Sequence, residues 1–153
     1  MKQNLLLLHG ALGTKTQFQN LKEQLEIEFN VHCLDFEGHG GNTSTNDFSM
    51  DLFANNVIEY LNEQKIEQIN IFGYSMGGYV ALSLASKNPA LIGKIVTLGT
   101  KFNWTKEVAA QEIKMLNPDK IEEKVPKYAA KLASIHISND WKEVVIKTAD
   151  MMH

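Results

Sequence analysis

A chain of 153 residues with a net charge of -3, 44% hydrophobic and 22% charged residues is one domain's worth of ordinary globular protein, long enough to bury a core. Its 15 positive side chains are all lysine, so there is no electrostatic case for nucleic acid and no guanidinium fork to grip carboxylate or phosphate groups. No apolar run reaches membrane-spanning length and the first one is too short for a signal peptide, so no membrane span is expected and the expected location is cytoplasmic.

Residues 5–8, four consecutive leucines, predict a strand covered on both faces of a parallel sheet. The loop His9-Gly10-Ala11-Leu12-Gly13-Thr14 follows. Phe18, Leu21, Leu25 and Phe29 recur at helical spacing and predict an amphipathic helix over 16–29. Val31-His32-Cys33-Leu34 predicts a second strand, with the one cysteine, Cys33, as a buried structural thiol. The loop Asp35-Phe36-Glu37-Gly38-His39-Gly40-Gly41 turns tightly at its glycines.

Ser49 is placed to cap a helix with Asp51 in its first turn, and Leu52, Phe53, Val57, Tyr60 and Leu61 form its buried stripe to about residue 64. A β-branched run over 69–74 predicts the third strand. An apolar helix follows over 76–87, stopped by Asn88-Pro89. Residues 94–98 predict a fourth strand closed by Gly99. Strands alternating with helices imply right-handed crossovers and a mostly parallel sheet in a three-layer α/β/α arrangement, with ligands at the strands' C-terminal ends.

Beyond Thr100 strand-like runs vanish and lysine- and glutamate-rich helical segments take over, so the chain divides into a core over 1–100 and a helical cap over 101–153. Thr105 caps one helix, Asn117-Pro118 opens a short one, and Pro126 starts another with Tyr128, Leu132 and Ile135 inward. Trp141, Val144, Val145, Thr148 and Met152 share one side of the last helix, where Trp141, like Trp104 further up the chain, reads as helix packing.

The centre of the sequence is Gly73-Tyr74-Ser75-Met76-Gly77-Gly78, a G-x-S-x-G pattern between a buried strand and a buried helix. A serine on so sharp a turn sits in a strained backbone conformation, and Gly73 and Gly77 supply room where the chain crosses itself. The turn lifts the hydroxyl to a helix N-terminus, where the backbone N–H of Met76 faces any oxyanion forming beside it.

These residues resemble the nucleophile elbow of the α/β-hydrolase superfamily. Residues 5–11, through His9-Gly10-Ala11, resemble its first strand and oxyanion loop, and Asp35 to Gly41 resembles its D-x-x-G-H-G loop. The match runs from the chain's start to about Gly99. The resemblance implies a catalytic Ser75 nucleophile, with the N–H groups of Ala11 and Met76 as oxyanion donors and with His9, Gly10 and Tyr74 beside the substrate. It implies no cofactor; no metal-ligand spacing, Walker lysine or G-x-G-x-x-G occurs.

A serine hydroxyl needs a positioned base, and the family takes acid and base, in that order, from strands and loops after the cap. Those strands are not found by residue 153. Asp35 and His39 lie together in one loop that the family uses to hold loops in place; Asp140, Asp150, His136 and His153 lie on cap-like segments. The expectation is the N-terminal part of a longer enzyme that cleaves an ester, thioester or related acyl bond of a small-molecule substrate through an acyl-Ser75 intermediate. The alternative is a non-catalytic α/β-hydrolase-like module acting by binding or assembly. Lyase chemistry is weakened by the missing arginine. The edge Lys94-Ile95-Val96-Thr97-Leu98 is expected either under the cap helices or paired with its copy in a homodimer.

Overall fold

The structure is a computed structural model that describes residues 2–152. Four strands, β1 (Gln3–Leu8), β2 (Phe29–Cys33), β3 (Ile69–Tyr74) and β4 (Ile92–Leu98), form one all-parallel sheet in the order β2-β1-β3-β4. The chain connects them through helices α1 (Gln19–Leu25), α2 (Met50–Glu63) and α3 (Met76–Lys87), as parallel pairing demands.

Register separates the faces. Leu6 pairs with Ile71 and Ile71 with Ile95, on the side where Phe53, Val57, Val80 and Leu84 of α2 and α3 complete the main buried cluster. Leu7 pairs with Phe72 and Phe72 with Val96 on the other side, where Phe18 meets Phe72 edge to face at 6.0 Å between ring centroids. Leu6, Leu7 and Leu8 are all fully buried, so the run of leucines is a strand covered on both faces.

Two elements differ from the sequence expectation. The helix predicted over 16–29 is a 3₁₀ turn (Lys15–Phe18) followed by α1, which stops at Leu25. Phe29 leaves the helix because its backbone is needed opposite Gln3 in the ladder, and pairing overrides helical periodicity. The fourth strand starts at Ile92, two residues before its predicted start, because Ile92 reaches back to pair with Ile69. Cys33, at the end of the outer strand β2, is half-buried rather than buried.

After β4 come α4 (Lys106–Met115), α5 (Pro118–Lys124), α6 (Pro126–Ile135) and α7 (Trp141–Met151). Thr105, Asn117 and Asp140 cap α4, α5 and α7 through side-chain oxygens, as Ser49 caps α2. Ile121, Leu132, Val144 and Val145 join the same apolar cluster as the sheet and α2. None of these helices covers β4: Val96 is 59% and Leu98 57% exposed, so the expectation that the cap folds back over this edge does not hold among the described residues.

Candidate active site

Ser75 joins β3 to α3 with φ 50° and ψ -114°, a left-handed backbone on a residue with a Cβ. Such a conformation persists only where its surroundings over-determine it. Ser75 N–H donates to Leu98 O at 2.8 Å, Ser75 O accepts from Gly78 N–H at 3.0 Å, and Thr100 Oγ1 donates to the same carbonyl at 2.9 Å. The crossing is as tight as the pattern predicts: a methyl on Gly73 would stand 2.5 Å from Gly78 N, and one on Gly77 would run into Leu8 O. A methyl on Gly10 would meet Ser75 Cβ at 3.2 Å, which places the loop after β1 directly against the serine.

Ala11, Ser75 and Met76 line one cavity of about 390 Å³, within the usual range for small-ligand sites. Met50, Tyr79, Trp104, Met151 and Met152 give it an apolar wall, while Lys101 and Glu112, an ion pair, add charge. Among the described residues Ser75 Oγ makes no hydrogen bond. His9, Gly10 and Tyr74, expected beside the substrate, are not in the wall. His9 is fully buried behind the loop, and Tyr74 is 41% exposed with its ring between Gly10 and Gly99. Trp104, expected to pack between helices, instead lines the cavity edge-on to Tyr79.

No described histidine is hydrogen-bonded to Ser75. His9 donates Nδ1–H to Gly10 O at 2.9 Å and accepts from Phe36 N–H at Nε2 at 3.2 Å. Gly40 N–H can only donate, so His136 accepts it at Nδ1 at 3.0 Å, which leaves Nε2–H to donate to Leu12 O at 3.1 Å. His39 donates Nδ1–H to Glu37 O at 3.1 Å, and its Nε2 is buried without a partner. Burial pushes His9 down to about 4 and His39 to about 3, and lowers His136, so all three rings stay neutral near pH 7.

None of the carboxylates weighed as substitutes is hydrogen-bonded to Ser75. Asp35 accepts from Lys15 N–H at 2.6 Å and holds two loops together, Asp140 caps α7, and Asp150 is exposed. His153 lies outside the described residues. Among the described residues, no group of three or more His, Cys, Asp or Glu side chains could hold a metal ion, and no helix is long and apolar enough to cross a membrane. Burial raises the Cys33 thiol, which disfavours the thiolate a nucleophile needs.

The strand, the elbow and the strained serine at the head of α3 coincide with a family model described as the alpha/beta hydrolase fold, which matches residues 3–134. The chain belongs to the alpha/beta hydrolase fold family. This hydrolase-fold chain is 28% identical over 148 residues to the sn-1-specific diacylglycerol lipase ABHD11 of Xenopus laevis, covering 94% of the chain and 47% of that protein. It is 29% identical over 104 residues to the pimeloyl-[acyl-carrier protein] methyl ester esterase of Vibrio vulnificus, covering 68% of the chain and 39% of the esterase. Among solved structures, MGS-M2, an alpha/beta hydrolase enzyme from a Medee basin deep-sea metagenome library, superposes with a TM-score of 0.80 at 15% identity over 98% of the chain and 63% of its own. The chain thus spans less than half the length of these curated relatives.

Sequence reasoning missed most of the cavity wall. Tyr79 follows Ser75 by four residues, one helical turn, and could have been found by that spacing. Met50, Lys101, Glu112 and Met151 carry no local signal, and the spacing that puts Met152 on the inner side of the last helix does not say which cavity it meets, because distant segments bring them there.

Proposed function

We propose that this chain carries the nucleophile and oxyanion half of a serine hydrolase acting on a small-molecule ester, thioester or related acyl bond. The observation that carries the reading is the strained Ser75 at the N-terminus of α3, its hydroxyl uncommitted, in one cavity with Ala11 and Met76. In this reading Ser75 Oγ attacks the acyl carbon and its proton passes to a base. The oxyanion rests on the N–H groups of Ala11 and Met76 while the alcohol or thiol leaves, and water then cleaves acyl-Ser75 to release the acid. His9 and Gly10 serve by shaping the oxyanion loop, and Tyr74 by packing against Gly10. The apolar wall suits an acyl chain, and two relatives, an sn-1-specific diacylglycerol lipase and a pimeloyl-[acyl-carrier protein] methyl ester esterase, are named for ester cleavage.

The reading takes residues 101–153 as a cap over this cavity, a cytoplasmic setting in keeping with one unpaired cysteine, and a homodimer through the exposed β4 edge. A second reading, a non-catalytic binding module, is favoured by one observation: no base stands at Ser75 among the described residues. Turnover of p-nitrophenyl esters separates the two. The hydrolase reading predicts acyl-Ser75 in the intact mass, none in Ser75→Ala, and turnover by residues 1–153 below about 1 s⁻¹, the low end for ordinary enzymes. A chain that forms no acyl adduct is the binding module.

A further inference from the structure

We infer that His136, at the junction of α6 and α7, is a positioning residue that holds the oxyanion turn in shape from the cap side. This rests on the proposed role of Ala11 as an oxyanion donor. The turn is closed by Gly13 N–H donating to Gly10 O at 3.0 Å, and inside it Leu12 takes a left-handed backbone, φ 58°, without being glycine. Two imidazoles hold its carbonyls. His9 donates to Gly10 O from the strand side, and His136, 124 residues beyond Leu12, donates to Leu12 O. The N–H of Ala11 shares its peptide plane with Gly10 O, which His9 and Gly13 anchor directly; the His136 bond anchors Leu12, the left-handed residue on which closure of that turn depends.

His136 is suited to the task. It is 1% exposed, and its other nitrogen accepts from Gly40 N–H, so neither ring nitrogen is left for water and the ring cannot flip without losing both bonds. The neighbouring Asn139 donates Nδ2–H to Asn42 O at 3.0 Å and moors the same junction to the loop after β2. The junction, the loop after β2 and the oxyanion turn are therefore one hydrogen-bonded unit, and a shift of α6 and α7 is carried to the turn through a single ring.

The test compares His136→Met, which keeps the bulk and loses both bonds, with His136→Gln, whose carboxamide offers a donor and an acceptor about as far apart as the two imidazole nitrogens. Two readouts apply to residues 1–153: amide exchange at Gly13 and the rate of Ser75 labelling by a fluorophosphonate. His136→Met should speed Gly13 exchange at least about tenfold while amides of β3 keep their protection, and should slow labelling about tenfold or more. His136→Gln should stay within about threefold of the parent in both. Unchanged Gly13 exchange in His136→Met, or faster exchange shared equally with β3 in both variants, overturns the inference. Should His136→Met not fold, the parent's imidazole ¹⁵N spectrum decides: a neutral His136 protonated at Nε2 supports the proposal and one protonated at Nδ1 overturns it. A parent that never labels at Ser75 fails as a hydrolase, while the exchange and the tautomer still judge His136.

Discussion

β3 and β4 lie side by side and pair with each other, yet they are held in opposite ways. β3 has a strand on both sides, buries Ile69 and Ile71, and runs into an elbow where four backbone segments touch. β4 ends the sheet, with one partner and with Val96 and Leu98 bare to solvent. The difference separates positioning from completion. The backbone contacts that fix Ser75 come from residues 8–100 and over-determine it, whereas β4 presents an edge with no second partner strand among the described residues.

The largest effect expected is chemical. Ser75→Ala should abolish the acyl-Ser75 adduct with little change in stability, because only the hydroxyl is lost; intact mass after exposure to an activated ester, with an unfolding curve beside it, will measure both. Acid should come next. His9 and His39 are neutral in the fold, at about 4 and about 3, but take protons near the ordinary imidazole value of 6.5 when unfolded. The unfolded chain therefore binds more protons below that value. Stability is full well above pH 6.5 and is lost as the pH falls through the window toward 4, by on the order of 5 kcal/mol for the two groups together. Urea titrations at pH 7.5 and pH 4.5 check this, and equal midpoints would contradict it.

Substitutions on the two strands sharpen the contrast. Gly77→Ala drives a methyl into Leu8 O, a backbone atom that cannot yield, and should cost about 3 kcal/mol or more by urea unfolding. Leu98→Ala, on the bare side, should cost no more than about 1 kcal/mol. The smallest change in stability belongs to Val96→Lys, within about 0.5 kcal/mol. It should nonetheless reduce self-association in sedimentation equilibrium, since charge on an open edge opposes pairing. A parent that stays monomeric at working concentrations removes the proposed homodimer and leaves the rest standing.

The central βαβ units were legible because their signals are local. Four leucines, the glycines around Ser75 and the caps at Ser49, Thr105 and Asn117 each act within a few residues. The failures were long-range. Phe29 fits a helical stripe but is claimed by Gln3 in the ladder, and Ile92 joins β4 because Ile69 is there to pair. Met151 and Met152 reach the cavity from a helix nearly eighty residues beyond the elbow, and no periodicity announces that. His136 was visible only as a histidine on a helical segment, a candidate base by type; its two bonds to Leu12 and Gly40 make it a tie instead.

The central claim is that Ser75 is an uncommitted hydroxyl facing two oxyanion donors. Intact mass after exposure to a fluorophosphonate, followed by peptide mapping, tests it most directly. One adduct per chain, on Ser75 and absent from Ser75→Ala, is the predicted result. An unlabelled chain, or one whose Ser75→Ala variant labels as well as the parent, would contradict it.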